Sequence, residues 1–466
     1  MTSTEKRAAY SLASIYSLRM MGLFMILPVF SLYADELEGT TPLLVGLAIG
    51  AYGLTQALFQ IPFGMLSDRF GRKPVIALGL LIFALGSVLA ANADSIMGVI
   101  FGRALQGTGA IAAAIMALTA DLTREEHRSR AMAVIGMSIG LSFALSLVLG
   151  PLLGGWIGVD GIFWLTAVLA LCGIGVLYIA VPSPKRSIFH RDAEPVPRFF
   201  SDVLGNAQLL RLDAGVMLLH MMLTATFVAL PFALRDMVGV AVADHWHVYL
   251  PVLLISLVVM VPLVIVAEKY RHNKGVYLCA ILIVAVAEAG LSLFYQSFIG
   301  IFIALLLFFV AFNVLEALLP SLVVKYAPAE KKGTAMGVYS TSQFLGAFIG
   351  GVSGGAIYGV MGISGVFMFC TLCALVWVAF ALTMKSPRYT SNYMLHVGTM
   401  SGSAQQELEE RLRQVKGVFE AAIVADEGAA YLKVDSKVVD YAELDQFSND
   451  DDLKEAAEEG EVSAVV

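Results

Sequence analysis

The sequence predicts an all-α polytopic membrane protein of twelve transmembrane helices, followed by a small soluble α+β domain. Hydrophobic residues make up 58% of the 466 residues and charged residues only 14%, whereas soluble chains contain about 25% charged residues. Uncharged apolar stretches of about 20 residues, the length that crosses a bilayer, recur along most of the chain. After Pro387 these stretches stop and the chain becomes acidic.

The apolar stretches predict the spans in chain order. The first is too long for the apolar region of a signal peptide and lacks a cleavage site, so we expect it to stay as a helix. The predicted spans are residues 10–32, 43–66, 75–93, 97–120, 131–154, 161–182, 212–234, 246–267, 275–295, 298–323, 334–358 and 362–384. All four cysteines lie inside spans, and we interpret the C-x-x-C of Cys370 and Cys373 as helix packing rather than a metal site.

Basic residues predict the orientation of the spans. The even-numbered loops and the membrane-flanking ends carry 21 Lys and Arg, whereas the odd-numbered loops carry only Arg235. Short loops rich in Lys and Arg stay on the cytoplasmic side. We therefore expect a multi-pass protein with both termini in the cytoplasm.

The long connection between spans 6 and 7 divides the membrane region into two bundles. We predict a first six-helix bundle over 1–182, a cytoplasmic linker over 183–211 and a second six-helix bundle over 212–386. Within the linker, SDVLGNAQLL is predicted to form an amphipathic helix on the membrane surface. A soluble domain is predicted over 390–466.

The two bundles repeat each other in sequence. IPFGMLSDRF at 61–70 aligns with VPLVIVAEKY at 261–270, and EEHRSRAMAV at 125–134 aligns with AEKKGTAMGV at 329–338. Duplicated six-span halves are typical of transporters, whose substrate site lies between the halves. A channel or an enzyme does not need this symmetry, so the repeat favours a transporter.

The first predicted cytoplasmic hairpin, GMLSDRFGRKPVI, contains a dense group of charges that we interpret as a conformational lock. Gly64 allows span 2 to approach a neighbour closely, and Gly71 allows the tight turn. Asp68 can face the positive N-terminus of another helix. Arg72 needs an anionic partner, and Asp121 at the end of span 4 is the best-placed candidate.

A simpler interpretation is that the basic residues of this hairpin only set the topology. We favour that interpretation for Arg69 and Lys73, and the lock for Asp68 and Arg72.

This hairpin resembles, at nearly every position, the span 2–3 motif of the major facilitator superfamily. In that family the motif aspartate contacts the N-terminus of span 11, and the motif arginine pairs with an acid on span 4. The resemblance implies these roles for Asp68, Arg72 and Asp121. It also implies the family's fold, alternating access and coupling to protons.

Two further stretches resemble motifs of the same family. FGRALQGTGAIAA resembles the span 4 motif, in which the arginine, here Arg103, is linked to proton transfer. GPLLGG is similar to the span 5 motif of the family's drug:proton antiporters and implies a helix bend. The bend is expected at Gly150, Pro151, Gly154 and Gly155.

Five titratable or charged residues are predicted within the membrane. A charge at the centre of a membrane helix costs about 2.5–3.5 kcal/mol, so each is a functional candidate. They are Arg19 on span 1, Arg103 on span 4, His220 on span 7, Glu288 on span 9 and Glu316 on span 10. In the family, spans 1, 4, 7 and 10 line the central cavity.

We predict that Arg103, His220 and Glu316 take part in proton coupling. His220 and Glu316 both lie about 10–12 Å from the cytoplasmic ends of their helices, at 1.5 Å per residue, so they can meet. The alternative for His220 is a neutral ring bonded to a helix neighbour, and for Glu288 a structural hydrogen bond.

Polar residues of the same spans are expected to line the substrate cavity. These residues are Arg19, Gln106 and Asn313.

The acidic tail is predicted to fold as a ferredoxin-like domain. Its pattern is strand, helix, strand, strand and helix, with 17 Asp and Glu against 6 Lys and Arg over 390–466. The stretch VGTMSGSAQQELEERLRQVKGVFEAAIV resembles a heavy-metal-associated, copper-chaperone-like domain. Ser401 and Ala404 stand where that family has its two metal-binding cysteines, so we expect no metal.

Together these features and the resemblance imply a proton-coupled exporter of small amphipathic molecules, and the resemblance implies a place in the bacterial inner membrane. The proton gradient would supply the energy without a cofactor, and no nucleic-acid partner is expected. The tail is expected to be regulatory, binding an unknown protein or docking on the cytoplasmic hairpins that contain Arg72 or Arg128. The alternatives are a proton-coupled uptake symporter and a non-transporting sensor or scaffold.

Overall fold

The structure is a computed structural model that describes residues 1–183, 199–328, 331–386, 391–398, 402–424, 428–435 and 438–448. Its helices account for the twelve predicted spans. Among the described residues, nine helical segments are long and apolar enough to cross a membrane, and two of these, 130–179 and 332–382, each contain two spans. The first span lies within the remaining helix, Ser3–Phe24, whose first residues precede the predicted span.

The first half of the membrane region contains spans 1 to 6. Its helices are α1 (Ser3–Phe24), α2 (Phe30–Tyr33), α3 (Pro42–Phe70), α4 (Arg72–Ala91), α5 (Ile96–Thr108), α6 (Ala112–Leu122) and α7 (Glu125–Ile179). We call the side that carries the start of α1 and the α3–α4 turn the inner side, and the opposite side the outer side.

The second half contains spans 7 to 12. Its helices are α8 (Phe200–Gly205), α9 (Ala207–Phe232), α10 (Trp246–Glu268), α11 (Asn273–Phe294), α12 (Phe298–Tyr326) and α13 (Lys332–Leu382). Short 3₁₀ turns at Ala34–Glu36 and Val242–Asp244, and a π-helical turn at Ala233–Met237, lie on the outer side.

Two predicted spans are interrupted in the structure. Span 1 was expected to run from 10 to 32, but α1 ends at Phe24 and a turn containing Pro28 separates it from α2, because proline lacks the N–H that continues a helix. Span 4 is divided into α5 and α6 by a break at Gly109, a residue with low helix propensity.

Two pairs of predicted spans are joined instead of being separated by loops. Spans 5 and 6 form α7, which bends at Gly158 with φ 70°, and spans 11 and 12 form α13, which bends at Gly362 with φ 68°. A positive φ is easily adopted only by glycine, so each bend reverses the chain within a few residues.

The predicted surface helix over 201–210 is shorter in the structure. It ends as α8 at Gly205, and the Asn206 side chain accepts hydrogen bonds from the backbone N–H groups of Gln208 and Leu209, which starts α9. The Nζ atom of Lys331 lies 2.8 Å from Asp202 and attaches α8 to the start of α13. Residues 184–198 of the predicted linker lie outside the described residues.

The tail forms the ferredoxin-like domain that its pattern predicts. Three antiparallel strands lie in the order β1-β3-β2 and pack against a helix. The elements are β1 (Ser391–His396), α14 (Gly402–Gln414), β2 (Val418–Val424), β3 (Ala429–Val434) and α15 (Tyr441–Asp445). Leu412, Leu432 and Leu444 are fully buried in its core.

Candidate functional site

The outer ends of the two halves are held together by glycines. A Cβ atom on Gly46 of α3 would overlap the carbonyl oxygen of Gly351 on α13. Cβ atoms on Gly50 and Gly53 would come within 2.8 Å and 2.6 Å of the carbonyl oxygens of Phe348 and Phe344. Spans 2 and 11 therefore touch backbone to backbone, and the outer side is closed.

This contact was not predicted from the sequence, although a signal was present. The stretches GLAIGAYG and GGVSGG place glycines four residues apart, the spacing that lets membrane helices approach closely. Read together, they would have indicated a helix pair between the halves.

The predicted bend residues of α7 lie beside the interrupted first span. A Cβ atom on Gly150 would overlap the carbonyl oxygen of Met25 and lie 2.9 Å from Pro28. A Cβ atom on Gly155 would lie 2.9 Å from the Cβ atom of Ala243 in the second half. Pro151 and Gly154 lie within the same turns of α7.

A cavity of about 790 Å³ lies between the halves on the inner side of the glycine contact. It extends to residues near the inner ends of α6 and α13, such as Met116 and Gly333. Since the outer side is closed and the cavity lies toward the inner side, the structure is inward-facing. Polar and aromatic wall residues include Tyr16, Tyr52, Gln60, Arg103, Phe143, His220, Phe312, Asn313, Glu316, Tyr339, Ser340 and Gln343.

His220 and Glu316 lie next to each other in the cavity wall. The Nε2 atom of His220 is 3.6 Å from Oε1 of Glu316 and 2.8 Å from Nε2 of Gln343. Its Nδ1 atom is 3.2 Å from the carbonyl oxygen of Val216 one turn earlier. A neutral ring with its proton on Nδ1 satisfies both hydrogen bonds, and a second proton on Nε2 would face the carboxylate.

Gln343 was not predicted as a site residue. An uncharged amide in a membrane helix has no charge signal. Its only indication in the sequence is the i, i+3 spacing from Ser340, which places both residues on the same face of α13.

Glu288 lies apart from the cavity wall. It is fully buried between α9 and α11, and the hydroxyl of Thr226 donates to its Oε1 atom at 2.8 Å. This geometry matches the structural hydrogen bond that was the alternative for Glu288.

Arg103, Gln106 and Ser87 form a hydrogen-bonded chain between α5 and α4. Nη1 of Arg103 donates to Oε1 of Gln106 at 2.8 Å, and Nε2 of Gln106 donates to Ser87 at 2.7 Å. Arg103 lines the cavity, whereas Gln106 is fully buried behind it. Gln106 thus orients Arg103 instead of facing the cavity as the sequence predicted.

Arg19 is also fully buried behind the wall. Its Nη2 atom donates to Oε1 of Gln56 at 2.6 Å and to the carbonyl oxygen of Gly109 at 3.0 Å, in the break between α5 and α6. Asn313 lies in the wall, where its Nδ2 atom donates to Ser256 of α10 at 3.0 Å.

The predicted lock residues are grouped at the inner end of α3. Arg72 pairs with Asp68, and its Nε atom lies 3.3 Å from Oδ2 of Asp121. Gly71 has φ 92° in the turn, and a Cβ atom on Gly64 would lie 3.2 Å from Ala113 of α6. The group joins spans 2, 3 and 4, and its action as a lock stays a prediction.

The C-terminal domain contacts the inner ends of the second half. Nη2 of Arg271, in the α10–α11 turn, lies 3.3 Å from Asp435. Nζ of Lys433 donates to the carbonyl oxygen of Lys325 at the end of α12, at 3.0 Å. The sequence predicted docking on first-half hairpins, but these contacts between described residues lie in the second half, because loop charge alone does not distinguish one basic loop from another.

The expected lack of a metal in the C-terminal domain stays a prediction. Ser401 lies outside the described residues, and Ala404 lies on α14. Within the described ranges, no group of three or more His, Cys, Asp or Glu has the arrangement of a metal site.

Comparisons with known families match both parts of the chain. A model described as Major Facilitator Superfamily matches residues 12–261 and 212–393. A model described as the YajR YAM domain matches residues 400–449.

Known proteins with similar sequences include named transporters. The chain is 48% identical over 446 residues to the inner membrane transport protein YajR of Escherichia coli, covering 96% of this chain and 98% of that protein. It is 36% identical to an uncharacterized transporter of Buchnera aphidicola, with 75% of this chain and 90% of that protein covered.

Solved structures show the same fold at low sequence identity. A D-xylose-proton symporter superimposes with a TM-score of 0.68 and 14% identity, covering 82% of this chain and 99% of that one.

Proposed function

Because the chain belongs to the major facilitator superfamily and is a multi-pass inner-membrane transporter, we propose that it is a proton-coupled exporter of small amphipathic molecules. It would work by alternating access, take its energy from the proton gradient without a cofactor, and keep both termini in the cytoplasm. The observation that carries this proposal is the contact of His220 with Glu316 at 3.6 Å in the cavity wall.

Alternating access needs two sets of contacts, only one of which is closed at a time. On the outer side, the glycines of α3 and α13 provide a close contact with no side chains to remove. On the inner side, Arg72 already pairs with Asp68 and Asp121 within the first half, and closing that side would bring the half-exposed Asp68 against the start of span 11 in the second half. The two halves would rock about the cavity between these sets.

The His220–Glu316 pair gives the cavity a place to take up and release a proton. A carboxylate and an imidazole in contact exchange a proton according to their access to water on either side. In the outward-facing state a proton would enter from outside and bind Glu316. In the inward-facing state the open cavity would release it to the cytoplasm as substrate enters.

Export is favoured over uptake by the packing of α7. Gly150 lets α7 cross tightly against the turn after α1, in the stretch GPLLGG that is similar to the span 5 motif of antiporters. The resemblance links this motif to antiporters, so the close approach of spans 1 and 5 at the motif favours exchange of substrate for proton.

The test uses proteoliposomes and a compound found by thermal-shift screening of the purified protein. Glu316→Gln removes the titratable group but keeps its shape, so we expect pH-driven transport to stop while exchange of labelled for unlabelled compound continues. The matched control is Glu288→Gln, a buried membrane acid outside the cavity wall, which should keep pH-driven transport. Full pH-driven transport in Glu316→Gln would contradict the proposal.

A further inference from the structure

We infer that the substrates are amphipathic organic anions, and that Arg103 and its neighbours in the first half bind the negative group. The inference rests on the proposed function insofar as the cavity between the halves is taken to be the substrate site. It starts from a pair of buried arginines whose positive charge is not balanced.

Arg19 and Arg103 approach the same aromatic ring from two helices. The guanidinium carbons lie 5.7 Å and 5.3 Å from the centroid of the Tyr52 ring. Arg19 is fully buried and Arg103 is 3% exposed. In the part of the chain that the structure describes, no Asp or Glu lies within 4.0 Å of either guanidinium.

The same region has more buried donors than acceptors. Nε and Nη1 of Arg19, Nε of Arg103 and Nε2 of Gln56 have no hydrogen-bond partner, whereas Oε1 of Gln60 is the acceptor left unpaired beside them. An unpaired buried donor costs about 1–3 kcal/mol, and more if it is charged. A ligand that brings a negatively charged acceptor to Arg103 would offset the charge of both arginines.

The cavity gives such a ligand access to Arg103. Arg103, Tyr52 and Gln60 line its wall, and Arg19 lies directly behind Tyr52. The negative group would therefore contact Arg103 directly. Arg19, which is buried behind the wall, would attract the group electrostatically without contact. Glu316 and His220 belong to the second half, so the proton and the anion would be held by different bundles.

The rest of the wall selects an apolar body. The cavity is also lined by Met20, Met116 and Phe143 of the first half and by Phe312 of the second half. The two phenylalanine rings stack across the halves with their centroids 5.7 Å apart. A volume of about 790 Å³ lies within the range of small-molecule pockets. An anion with an aromatic or aliphatic body fits this combination, whereas an inorganic anion would leave most of the wall unfilled.

Equilibrium dialysis of the full chain in detergent tests the inference. The probes share three apolar bodies, naphthyl, biphenyl and decyl, and each body carries a carboxylate, a hydroxymethyl or an ammonium group. Empty micelles provide the blank for partition into detergent. We expect at least one carboxylate to bind roughly tenfold more tightly than its ammonium counterpart, as expected for a hydrogen-bonded charge.

Variants test whether Arg103 causes the preference for carboxylate probes. Arg103→Gln should abolish the preference for carboxylate and keep the affinity for the neutral alcohol, which also shows that the variant is folded. Arg103→Lys should retain part of the preference. The control is Arg235→Gln, an outer-side arginine that pairs with Asp236, and it should bind like the wild type.

The inference is overturned if no carboxylate is preferred in the wild type, including the case in which none binds. It is also overturned if Arg103→Gln keeps the preference intact. Binding of chloride that no carboxylate probe can displace would assign the donors to a resident small anion and would equally remove the substrate class.

Equilibrium binding does not depend on a proton gradient, so the two proposals can fail separately. Carboxylate preference together with transport that ignores pH would reject only the proton coupling. Preference for the ammonium probes together with pH-driven transport would reject only the anionic substrate class.

Discussion

At the scale of single residues, the distribution of titratable groups determines what the cavity can do. His220 and Glu316 were predicted to meet from their equal depth in spans 7 and 10, and they lie 3.6 Å apart. Because each residue of a helix adds a fixed rise, the depth of a residue in the membrane can be calculated from its distance along the sequence to the end of the helix. The partner Gln343 was not readable, because neutral hydrogen-bonding side chains are common in membrane helices and only the fold shows which of them meet.

Glu5 provides a residue-scale prediction at the inner end of α1. Burial raises the pKa of this carboxyl, but hydrogen bonds from the side chain and backbone of Arg124 and from the backbone of Thr2 outweigh burial and lower the pKa to about 2. The lowered pKa means that the folded state prefers the charged form. Its contribution to stability is present above the unfolded pKa near 4.5 and is lost as pH falls toward 2.

We therefore expect Glu5→Gln to lower stability by about 1 kcal/mol at neutral pH, the typical value of a lost hydrogen bond. Thermal unfolding of the purified protein between neutral and acidic pH measures the effect. The difference between wild type and variant should shrink as pH falls below 4.5. A difference that stays constant with pH would contradict the role of the charge.

At the scale of elements, helix existence was predictable and helix boundaries were not. The length of an uncharged apolar stretch identifies a membrane span, so the twelve spans could be predicted from the sequence. Hydropathy does not distinguish an apolar turn from a continuing apolar helix. The break at Pro28 and the bends at Gly158 and Gly362 therefore appear only in the structure. These turns matter, since the first brings the end of span 1 against Gly150 of span 5.

The contact of α3 with α13 should be sensitive to side-chain size. Gly50→Leu places a side chain where a Cβ atom alone would lie 2.8 Å from the carbonyl oxygen of Phe348. Over-packing of this kind costs about 1–3 kcal/mol, and opening the outer side relieves it. Spin labels on the outer ends of spans 2 and 11 should report longer distances.

The matched control for this variant is Gly175→Leu, since a Cβ atom at Gly175 meets nothing within 4 Å. It should leave the distances unchanged. Equal distance distributions in Gly50→Leu and the wild type would mean that the glycine contact does not close the outer side.

The charges at the inner end of α3 are expected to hold spans 2, 3 and 4 in the arrangement that lets Asp68 face the start of span 11 when the inner side closes. Arg72→Ala or Asp121→Ala removes one side of a contact at 3.3 Å between two buried side chains. We expect a shift of roughly 1–3 kcal/mol in the equilibrium between inward- and outward-facing states, as for a partly buried charge that loses its partner. Spin-label distances across the inner mouth should show it open more often, and unchanged distances in both variants would reject the lock.

At the scale of the whole molecule, the C-terminal domain is attached to the second half by the two contacts seen among the described residues. The Arg271–Asp435 and Lys433–Lys325 contacts attach it to the inner ends of α10 to α12. Net charge carries no information about which basic loop fits β3 and its neighbours, so the sequence could not select among the loops. A domain attached to one half moves with that half, so it is placed to influence how far the halves close.

Salt should weaken this docking. Arg271 and Asp435 are 35% and 18% exposed, and exposed ion pairs are screened as the Debye length falls from about 14 Å at 50 mM to about 4 Å at 500 mM salt. A cysteine pair at these two positions removes the ion pair itself, so crosslinking is better measured between positions 433 and 325, which are in contact, after Lys433 and Lys325 are each changed to cysteine. The yield should fall at high salt, and Arg271→Gln should lower it at low salt as well.

Crosslinking that is equal at both salt concentrations and in Arg271→Gln would show that the ion pair does not hold the domain. Efficient crosslinking of the domain to the hairpin of Arg128 instead would favour docking on the first half.

The central claim is that the His220–Glu316 pair exchanges a proton for the substrate. Its most direct measurement is the release of protons when a compound found by screening is added to the purified protein in weakly buffered solution with a pH indicator. Proton-coupled exchange predicts release on binding that disappears in Glu316→Gln and persists in Glu288→Gln. Equal release from the wild type and Glu316→Gln, or binding without any release in the wild type across neutral pH, would contradict the claim.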